Sequence, residues 1–316
     1  MSRLRSLLDT ATMLIRQGDF DKACALLAEL ETADDPAALG PRTALGVPRR
    51  LQAVQLRLAK ARGDALMRSG LQHHLVPPPE LLAPLFAVDA QGRRARVAAA
   101  SAPVPKVVHQ IWVGGPHPET VEIWQEFAAR HGWAHRLWRE ADLDALGVTT
   151  SAAYRAMADR GDFPGAVDVA RYAILATEGG VYLDCDWLPV GDQPFEAVFP
   201  MSGLTALAET VPRLTGTGSP FLNNSVLAAP RDHPAFTQLL RVLPDVIAKL
   251  PRGPAWWVTG PLVFTLAARA GPVTVLDQGI EGGKAPKGAT RKEALGAAAL
   301  IAASDDPAFL YGWKPW

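Results

Sequence analysis

The chain has 316 residues, with 32 basic and 32 acidic side chains, so its formal net charge at pH 7 is zero. This balance argues against the extended basic surface that nucleic-acid binding requires. Apolar residues make up 48% of the chain, enough for a sizeable core, and the length allows one large domain or two smaller ones.

Cysteine usage and the N-terminal residues bear on localisation. Cys24 and Cys185 lie far apart, which does not suggest a disulfide framework and favours a reducing compartment. No apolar run approaches the length of a membrane span. Arg3 precedes an apolar stretch, but Asp9 interrupts it, so an amphipathic helix fits better than a signal peptide. We therefore predict a cytoplasmic location and leave peripheral membrane contact open.

The first 75 residues have helical periodicity. Apolar side chains recur at helical spacing on both sides of Gly18 and Asp19, and a third helix is predicted from about 48 to 67. Amphipathic helices usually bury their apolar face in their own chain, which favours a helical extension over a dedicated partner-binding module. Prolines and a basic patch then interrupt the period between residues 77 and 105, which predicts a linker.

After Pro105 the sequence changes to alternating strands and helices. The pattern predicts strands at 106–113, 134–138 and 181–186, with helices at 120–131 and about 165–177. Such alternation is typical of an α/β fold with a largely parallel, doubly wound sheet. Ligands in these folds bind beyond the carboxyl ends of the strands.

The last of these strands ends in two carboxylates. Because side chains alternate along a strand, Asp184 and Asp186 are expected on one side and Cys185 on the other. Adjacent carboxylates repel each other unless a cation lies between them, and oxygen ligands suit Mg²⁺ or Mn²⁺. Asp184 and Asp186 are therefore candidate metal ligands.

The preceding helix carries Asp168 and Arg171, three residues apart and hence on one face. Their neighbours are apolar almost all round, which predicts a buried helix, and a buried carboxylate and guanidinium need partners. An anionic, polyhydroxylated ligand would serve both, because the guanidinium binds phosphate oxygens and the carboxylate accepts hydrogen bonds from sugar hydroxyls.

Three segments together resemble one enzyme family. They are residues 105–112 (PKVVHQIW), 168–175 (DVARYAIL) and 179–186 (GGVYLDCD). In this order they are similar to DXD-containing sugar transferases, which include Och1-type mannosyltransferases (glycosyltransferase family 32) and capsular-polysaccharide relatives, and to the glucosyltransferase domain of large clostridial toxins. The resemblance begins near Pro105, continues thinly through 223–225 and 259–261, and does not cover residues 1 to about 100.

The resemblance implies a GT-A type, Rossmann-like catalytic domain at residues 101–316, preceded by the α-helical extension and linker at 1–100. It further implies transfer of a hexose from a UDP- or GDP-sugar to a glycan, protein or small-molecule acceptor. The transfer would retain anomeric configuration and depend on Mn²⁺ or Mg²⁺.

Roles also carry over by position. Trp112 would stack on the nucleotide base, and Asn224 would face the donor sugar. Asp168 and Arg171 would hold the donor sugar and phosphate, and with Asp184, which contacts ribose and sugar, they form the catalytic set. Asp186 would ligate the metal directly, with the metal near Asp184.

The C-terminal segment departs from the family. Relatives end in a segment with histidine, serine and tryptophan that closes over the diphosphate, whereas here residues 311–316 read YGWKPW. Trp316 is therefore a further donor-binding candidate, and Lys314 is placed to meet phosphate.

Other interpretations remain open from the sequence. A haloacid-dehalogenase-like phosphatase also places an Asp-x-Asp at a strand end, and a degenerate transferase would act as an interaction scaffold. Trp112 alone would more often be a core aromatic, and Trp256 and Trp257 fit either an acceptor platform or structural burial.

Overall fold

A computed structural model describes residues 3–33, 39–43, 47–73, 81–209, 221–251, 253–305 and 308–316. The chain divides into two compact units. One comprises residues 1–78 with 211–214, and the other comprises 79–210 and 215–316.

The first unit is helical. Its helices are α1 (Arg3–Gln17), α2 (Phe20–Glu31), α3 (Arg49–Ala61) and α4 (Ala65–His73). Gly18, at φ +81°, ends α1, and the carboxylate of Asp19 then caps α2 by accepting from the Lys22 amide. The break predicted at these two residues is confirmed. Their core consists of leucine, alanine and valine side chains from α1, α2, α3 and the segment between α2 and α3, among them Leu8, Leu27, Leu30, Leu39, Leu51 and Val54.

The third predicted helix is wrong in its extent. Residues 48–67 contain the whole of α3 and the start of α4, separated by residues 62–64. Gly63 adopts a positive φ of +70°, and Asp64 accepts a hydrogen bond from the Met67 amide at 2.9 Å. A left-handed residue followed by a capping carboxylate is a typical stop and restart of a helix.

The second unit alternates helices and strands. In chain order its elements are α5 (Ala90–Ala99), β1 (Val107–Ile111), α6 (Thr120–Arg130), β2 (Ala134–Trp138), α7 (Glu140–Ala145), α8 (Ala152–Ala158), α9 (Phe163–Glu178), β3 (Gly180–Leu183), β4 (Trp187–Pro189), β5 (Thr205–Ala208), β6 (Leu222–Ala229), α10 (Pro234–Lys249), α11 (Ala255–Val258), α12 (Pro261–Ala268), β7 (Thr274–Leu276), β8 (Glu281–Lys284), α13 (Arg291–Ala302) and β9 (Leu310–Gly312).

Six of these strands form the central sheet, in the order β2-β1-β3-β6-β5-β7. Strand β6 runs antiparallel to both its neighbours, β3 and β5, while the other pairings are parallel. A separate sheet pairs β4, β9 and β8. The predicted α/β class is confirmed, and the mixed sheet flanked by helices is consistent with the predicted Rossmann-like, GT-A type core. The predicted strands at β1 and β2 and helices at α6 and α9 are found within a few residues of their expected ends.

Both faces of the central sheet are covered. Val181 and Leu183 of β3 join a core that contains Trp124, Phe195 and Phe309. Tyr182, between the two, is also buried, and the centre of its ring lies 4.6 Å from the Arg171 guanidinium carbon of α9. Period-two alternation on β3 thus sends one face to an aromatic core and the other to the helix that carries the candidate site.

The region predicted as a linker contains the helix α5. Its Arg96 is buried and donates to the Ala267 carbonyl oxygen at 2.9 Å and to Gln238 Oε1 at 2.5 Å, which ties α5 to α12 and α10. Residues 77–80 of that region lie outside the described residues. The division near residue 100 into an extension and a catalytic domain stays a prediction.

No helix in the described part of the chain combines the length and apolarity that a bilayer crossing requires.

Candidate functional site

The Gly-Gly-Val-Tyr-Leu-Asp-Cys-Asp segment begins with two glycines at positive φ, Gly179 (+65°) and Gly180 (+99°). A Cβ on Gly179 would lie 2.6 Å from the Arg231 amide nitrogen, and one on Gly180 would lie 2.6 Å from Cγ1 of Val107. Both positions therefore require glycine, for conformation and for space. The pair lets the chain leave α9 and enter the sheet directly beside β1.

Asp184 and Asp186 do not lie on a strand, so the predicted alternation is wrong here. Strand β3 ends at Leu183, and residues 184–186 lead by a turn into β4. The turn is fixed through its central residue, because the Cys185 thiol donates to the Ile111 carbonyl oxygen at 3.4 Å and the Cys185 carbonyl accepts from the hydroxyl of Thr120. Burial raises the pKa of the Cys185 thiol, in keeping with a structural role.

Helix α9 places Asp168 and Arg171 on the face beside this turn. It begins after Asp162, whose Oδ1 accepts from the Gly165 amide at 3.2 Å, and Pro164 occupies its first turn. Asp168 and Arg171 are 6% and 5% exposed, so the predicted burial of this pair is found. A buried guanidinium must have its charge met by nearby groups.

Arg171 bridges two carboxylates. Its Nη2 lies 3.2 Å from Oδ1 of Asp168 and 3.2 Å from Oδ1 of Asp184. Its Nη1 donates to the Asn224 carbonyl oxygen at 2.6 Å, which connects the site to β6. Its Nε is buried without a hydrogen-bond partner among the described residues. The arginine thus joins α9, the turn after β3 and strand β6 at one point.

Asp168 is held by two further side chains. Its Oδ1 accepts from Asn224 Nδ2 at 2.8 Å, and its Oδ2 accepts from the Thr259 hydroxyl at 2.9 Å. The Asn224 amide also donates to the Tyr172 hydroxyl at 2.9 Å, and that hydroxyl donates to the Thr259 carbonyl at 2.7 Å. Tyr172 and Thr259 were not among the predicted site residues. Their only sequence signal was their position within the matching segments.

Burial and charge oppose each other at this network. Burial raises the pKa of Asp168 to about 6, although Arg171, Thr259 and Asn224 all favour its ionised form. Burial alone would lower the pKa of Arg171, but Asp184, Tyr182 and Asp168 raise it above its ordinary value. Arg171 therefore stays charged throughout the physiological pH range, while the pKa of Asp168, at about 6, lies just below that range.

An open cleft lies over the network. It has a volume of about 510 Å³ and includes Asp168, Arg171, Asp184 and Asn224 in its wall. Asp184 is the more accessible carboxylate, with its side chain 30% exposed, and its Oδ1 also accepts from the Tyr182 hydroxyl at 2.7 Å. Four of the predicted site residues therefore converge on one surface of a size suited to a small ligand.

The two tryptophans predicted to bind the donor, Trp112 and Trp316, contact each other and are not among the residues that line this cleft. Trp112 follows β1, and its ring centre lies 4.9 Å from that of Trp316 in an edge-to-face arrangement. The indole nitrogen of Trp112 is buried without a hydrogen-bond partner among the described residues. Trp316 is half exposed, and the Lys314 ammonium lies 5.5 Å from its ring centre. An unsatisfied donor beside an exposed aromatic ring is suited to a planar polar ligand.

Asp186 lies on the C-terminal side of the turn. Its carbonyl oxygen accepts from the Trp313 amide at 2.8 Å, so the C-terminal segment is tied to it. Burial and the charge of Asp184 raise the pKa of its carboxyl to about 6, and Lys314 and Lys284 oppose this. Within the described residues its carboxylate forms no ion pair within 4 Å and no cluster of three or more acidic, histidine or cysteine ligands occurs.

A divalent cation fits the chemistry of this turn. Asp186 is a half-buried carboxylate without an ion pair among the described residues, and Asp184 is partly exposed. Carboxylate oxygens are the ligands that Mg²⁺ and Mn²⁺ accept, and two of them leave coordination positions for phosphate oxygens and water.

Comparison with known proteins agrees with the motif. Residues 118–199 match a family model described as "Glycosyltransferase sugar-binding region containing DXD motif". No curated protein matches the chain. Among solved structures, a chain titled "PaToxG Glycosyltransferase" aligns with a TM-score of 0.41 and 14% identity over 64% of this chain and 79% of that one.

Proposed function

We propose that this chain, whose residues 118–199 match a DXD-containing glycosyltransferase region, is a metal-dependent glycosyltransferase that moves a hexose from a UDP- or GDP-sugar to an acceptor hydroxyl with retention of configuration. The observation that carries this proposal is the buried Asp168–Arg171–Asp184 array on the wall of a cleft, completed by Asn224. An array of this kind supplies acceptors for sugar hydroxyls and a fixed positive charge for phosphate.

Each residue has a defined part in the reaction. Arg171 faces the diphosphate oxygen that gains negative charge as the sugar leaves, and it cannot lose its proton. Asp168 and Asn224, fixed by their mutual hydrogen bond, orient the sugar hydroxyls. Asp184 lies closest to the positive charge that develops at the anomeric carbon, which its carboxylate stabilises. Trp112 and Trp316 hold the nucleotide base between them and the turn.

The transfer exchanges one bond for another. The bond between the anomeric carbon and the diphosphate oxygen breaks, and a bond to the acceptor hydroxyl oxygen forms. The proton of that hydroxyl passes to the departing diphosphate. Asp184 and Asp186 would hold Mn²⁺ or Mg²⁺, which when bound neutralises charge on the diphosphate.

A hydrolysis screen tests the proposal without knowledge of the acceptor. The full chain is incubated with a panel of UDP- and GDP-hexoses in Mn²⁺, Mg²⁺ or EDTA, and nucleoside diphosphate release is measured. We expect release from at least one donor, its loss in EDTA, and its loss in the variant Arg171→Ala.

Three results would contradict it. Turnover in EDTA would exclude the metal role, and phosphate release from a generic phosphomonoester without any sugar-nucleotide turnover would favour the phosphatase alternative. Donor binding is measured separately, as a change in melting temperature on addition of the donor. If no donor is bound or hydrolysed, the interaction-scaffold alternative is favoured.

A further inference from the structure

Part of the wall of the cleft differs in chemistry from the charged array. It includes the rings of Pro164, Pro254, Pro261 and Trp256. Trp256 lies in the short helix α11, is half-buried, and has its ring centre 5.1 Å from that of Phe221 at an interplanar angle of 31°. Flat apolar rings beside polar groups are the surface that the apolar face of a pyranose contacts.

A close approach brings this wall to the charged array. A Cβ on Gly260 would lie 3.1 Å from Cα of Trp256 and 3.2 Å from Oδ2 of Asp168. Because residue 260 is glycine, the backbone of Trp256 and the carboxylate of Asp168, which would hold the donor sugar, can both lie against it. Trp256 therefore belongs to the immediate surroundings of the proposed donor-sugar position.

Polar groups border the aromatic wall. Asn223 lines the cleft, and its Oδ1 accepts from the Ser225 amide at 2.6 Å, which fixes the side chain. Its amide Nδ2 donates to no partner among the described residues and can donate to a ligand hydroxyl. Glu209 also lines the cleft and adds a negative charge to it. The excess of acidic side chains disfavours an acidic acceptor and suits a neutral polyhydroxylated one.

The cleft continues past the array. A second cavity of about 470 Å³ shares Asp162, Pro164 and Pro254 with the first and extends to Arg160. Arg160 is fixed there by hydrogen bonds to Asp162 Oδ2 and the Gly253 carbonyl, each at 2.9 Å. We call these two adjoining cavities, which share three lining residues, the groove.

From these four observations we infer that the groove is the acceptor subsite and that the acceptor is a neutral oligosaccharide, with one of its rings on Trp256. This inference rests on the proposed function, since it names the substrate class of the same site. A protein acceptor presenting a serine, threonine or tyrosine hydroxyl is the alternative that the experiment must separate.

Binding is measured first, without any donor. Neutral trisaccharides and hydroxyl-containing peptides are added to the full chain, and saturation-transfer NMR reports which of them contacts the protein. We expect saturation transfer to trisaccharides, its loss in Trp256→Ala and its partial recovery in Trp256→Phe. The control variant is Trp257→Ala, because Trp257 is the adjacent tryptophan and does not belong to the described lining of either cavity.

Transfer is measured second, with the donor found in the hydrolysis screen. In Trp256→Ala the ratio of acceptor-dependent transfer to acceptor-independent hydrolysis should fall about tenfold, through the acceptor KM, which corresponds to the loss of one stacking contact. Trp257→Ala should keep the wild-type ratio.

The two measurements separate the two ideas. Donor hydrolysis without trisaccharide binding, or binding and transfer to peptides alone, overturns the acceptor inference and leaves the transferase proposal standing. Trisaccharide binding that depends on Trp256 without any donor turnover shows a sugar-binding groove, but it overturns the transferase proposal and with it the acceptor role. An unchanged ratio in Trp256→Ala at a wild-type melting temperature also overturns the inference.

Discussion

Replacing Arg171 by methionine tests the network at its centre. Methionine has a comparable length and no charge, so the change removes the guanidinium while leaving most of the space filled. It leaves Asp168 buried and Asp184 partly buried without the cation that lies 3.2 Å from each. Breaking a buried ion pair from one side costs about 3–5 kcal/mol, a large part of the stability of most domains.

The stability lost in the Arg171→Met variant depends on pH, and the direction of that dependence follows from the pKa of Asp168. In the wild type burial already raises the pKa of Asp168 to about 6, and the guanidinium of Arg171 opposes this shift. Without the guanidinium the carboxyl titrates higher still, so the folded variant binds a proton that the unfolded chain releases. Stability of the variant therefore falls as pH rises through 6 and above, and its deficit against the wild type grows from pH 5 to pH 8.

Thermal unfolding at several pH values is the assay. For a unit of this size a loss of about 3–5 kcal/mol lowers the melting temperature by about 6–20 °C at pH 7.5. The matched control is Arg130→Met, since Arg130 pairs with Asp192 at 3.3 Å and its side chain is 52% exposed, and it should change the melting temperature little. If Arg171→Met does not lower the melting temperature, or lowers it equally at pH 5 and pH 8, the argument that Arg171 stabilises a buried carboxylate is refuted.

The remaining predictions concern the turn, the base contact and the sheet. Asp186→Asn should abolish metal-dependent donor turnover at a wild-type melting temperature, whereas Asp192→Asn, an exposed carboxylate, should keep turnover; full activity of the first variant would exclude Asp186 as a ligand. Trp112→Ala should raise the donor KM more than it lowers kcat, and a lower melting temperature with normal kinetics would instead make Trp112 a core residue. His109→Gln tests a buried imidazole whose Nδ1 accepts from Trp138 Nε1 at 3.0 Å and whose Nε2 donates to the Gly179 carbonyl at 2.8 Å. Burial lowers the pKa of His109 from 6.5 to about 4, so about 3 kcal/mol of stability present above pH 6.5 is lost as the pH falls to 4, and urea titrations should show that the variant loses less over this window.

The burial of Asp168 and Arg171 could be predicted because it follows from their neighbours in sequence. Apolar residues surround both on nearly every face of one helix, and a helix of that kind is usually buried. The partners of the pair could not be predicted in the same way. Thr259 contacts Asp168 across 91 residues of chain and Asn224 across 56, and such contacts depend on how α11 and β6 are placed by the whole fold.

The turn at 184–186 could not be predicted from the local sequence. An apolar run followed by two acids one residue apart has the period of a strand, so the sequence predicted that strand β3 continued to Asp186. The hydrogen bonds of Cys185 to Ile111 and of its carbonyl to Thr120 instead turn the backbone between the acids. Local alternation cannot reveal these contacts, because both partners come from elements that precede Cys185 by more than sixty residues.

The turn gives Asp184 and Asp186 different electrostatic partners. Asp184 is already paired with Arg171, whereas Asp186 forms no ion pair among the described residues and meets only the more distant Lys284 and Lys314. With Asp168 ionised, the three carboxylates and the one guanidinium carry a net charge of minus two. A divalent cation held by Asp184 and Asp186 would offset that charge, and replacing either carboxylate by an amide would lower the negative charge that attracts the cation. The pairing of Asp184 with Arg171 fits a site that would take a cation and a diphosphate together, because it keeps one fixed positive charge beside the carboxylates.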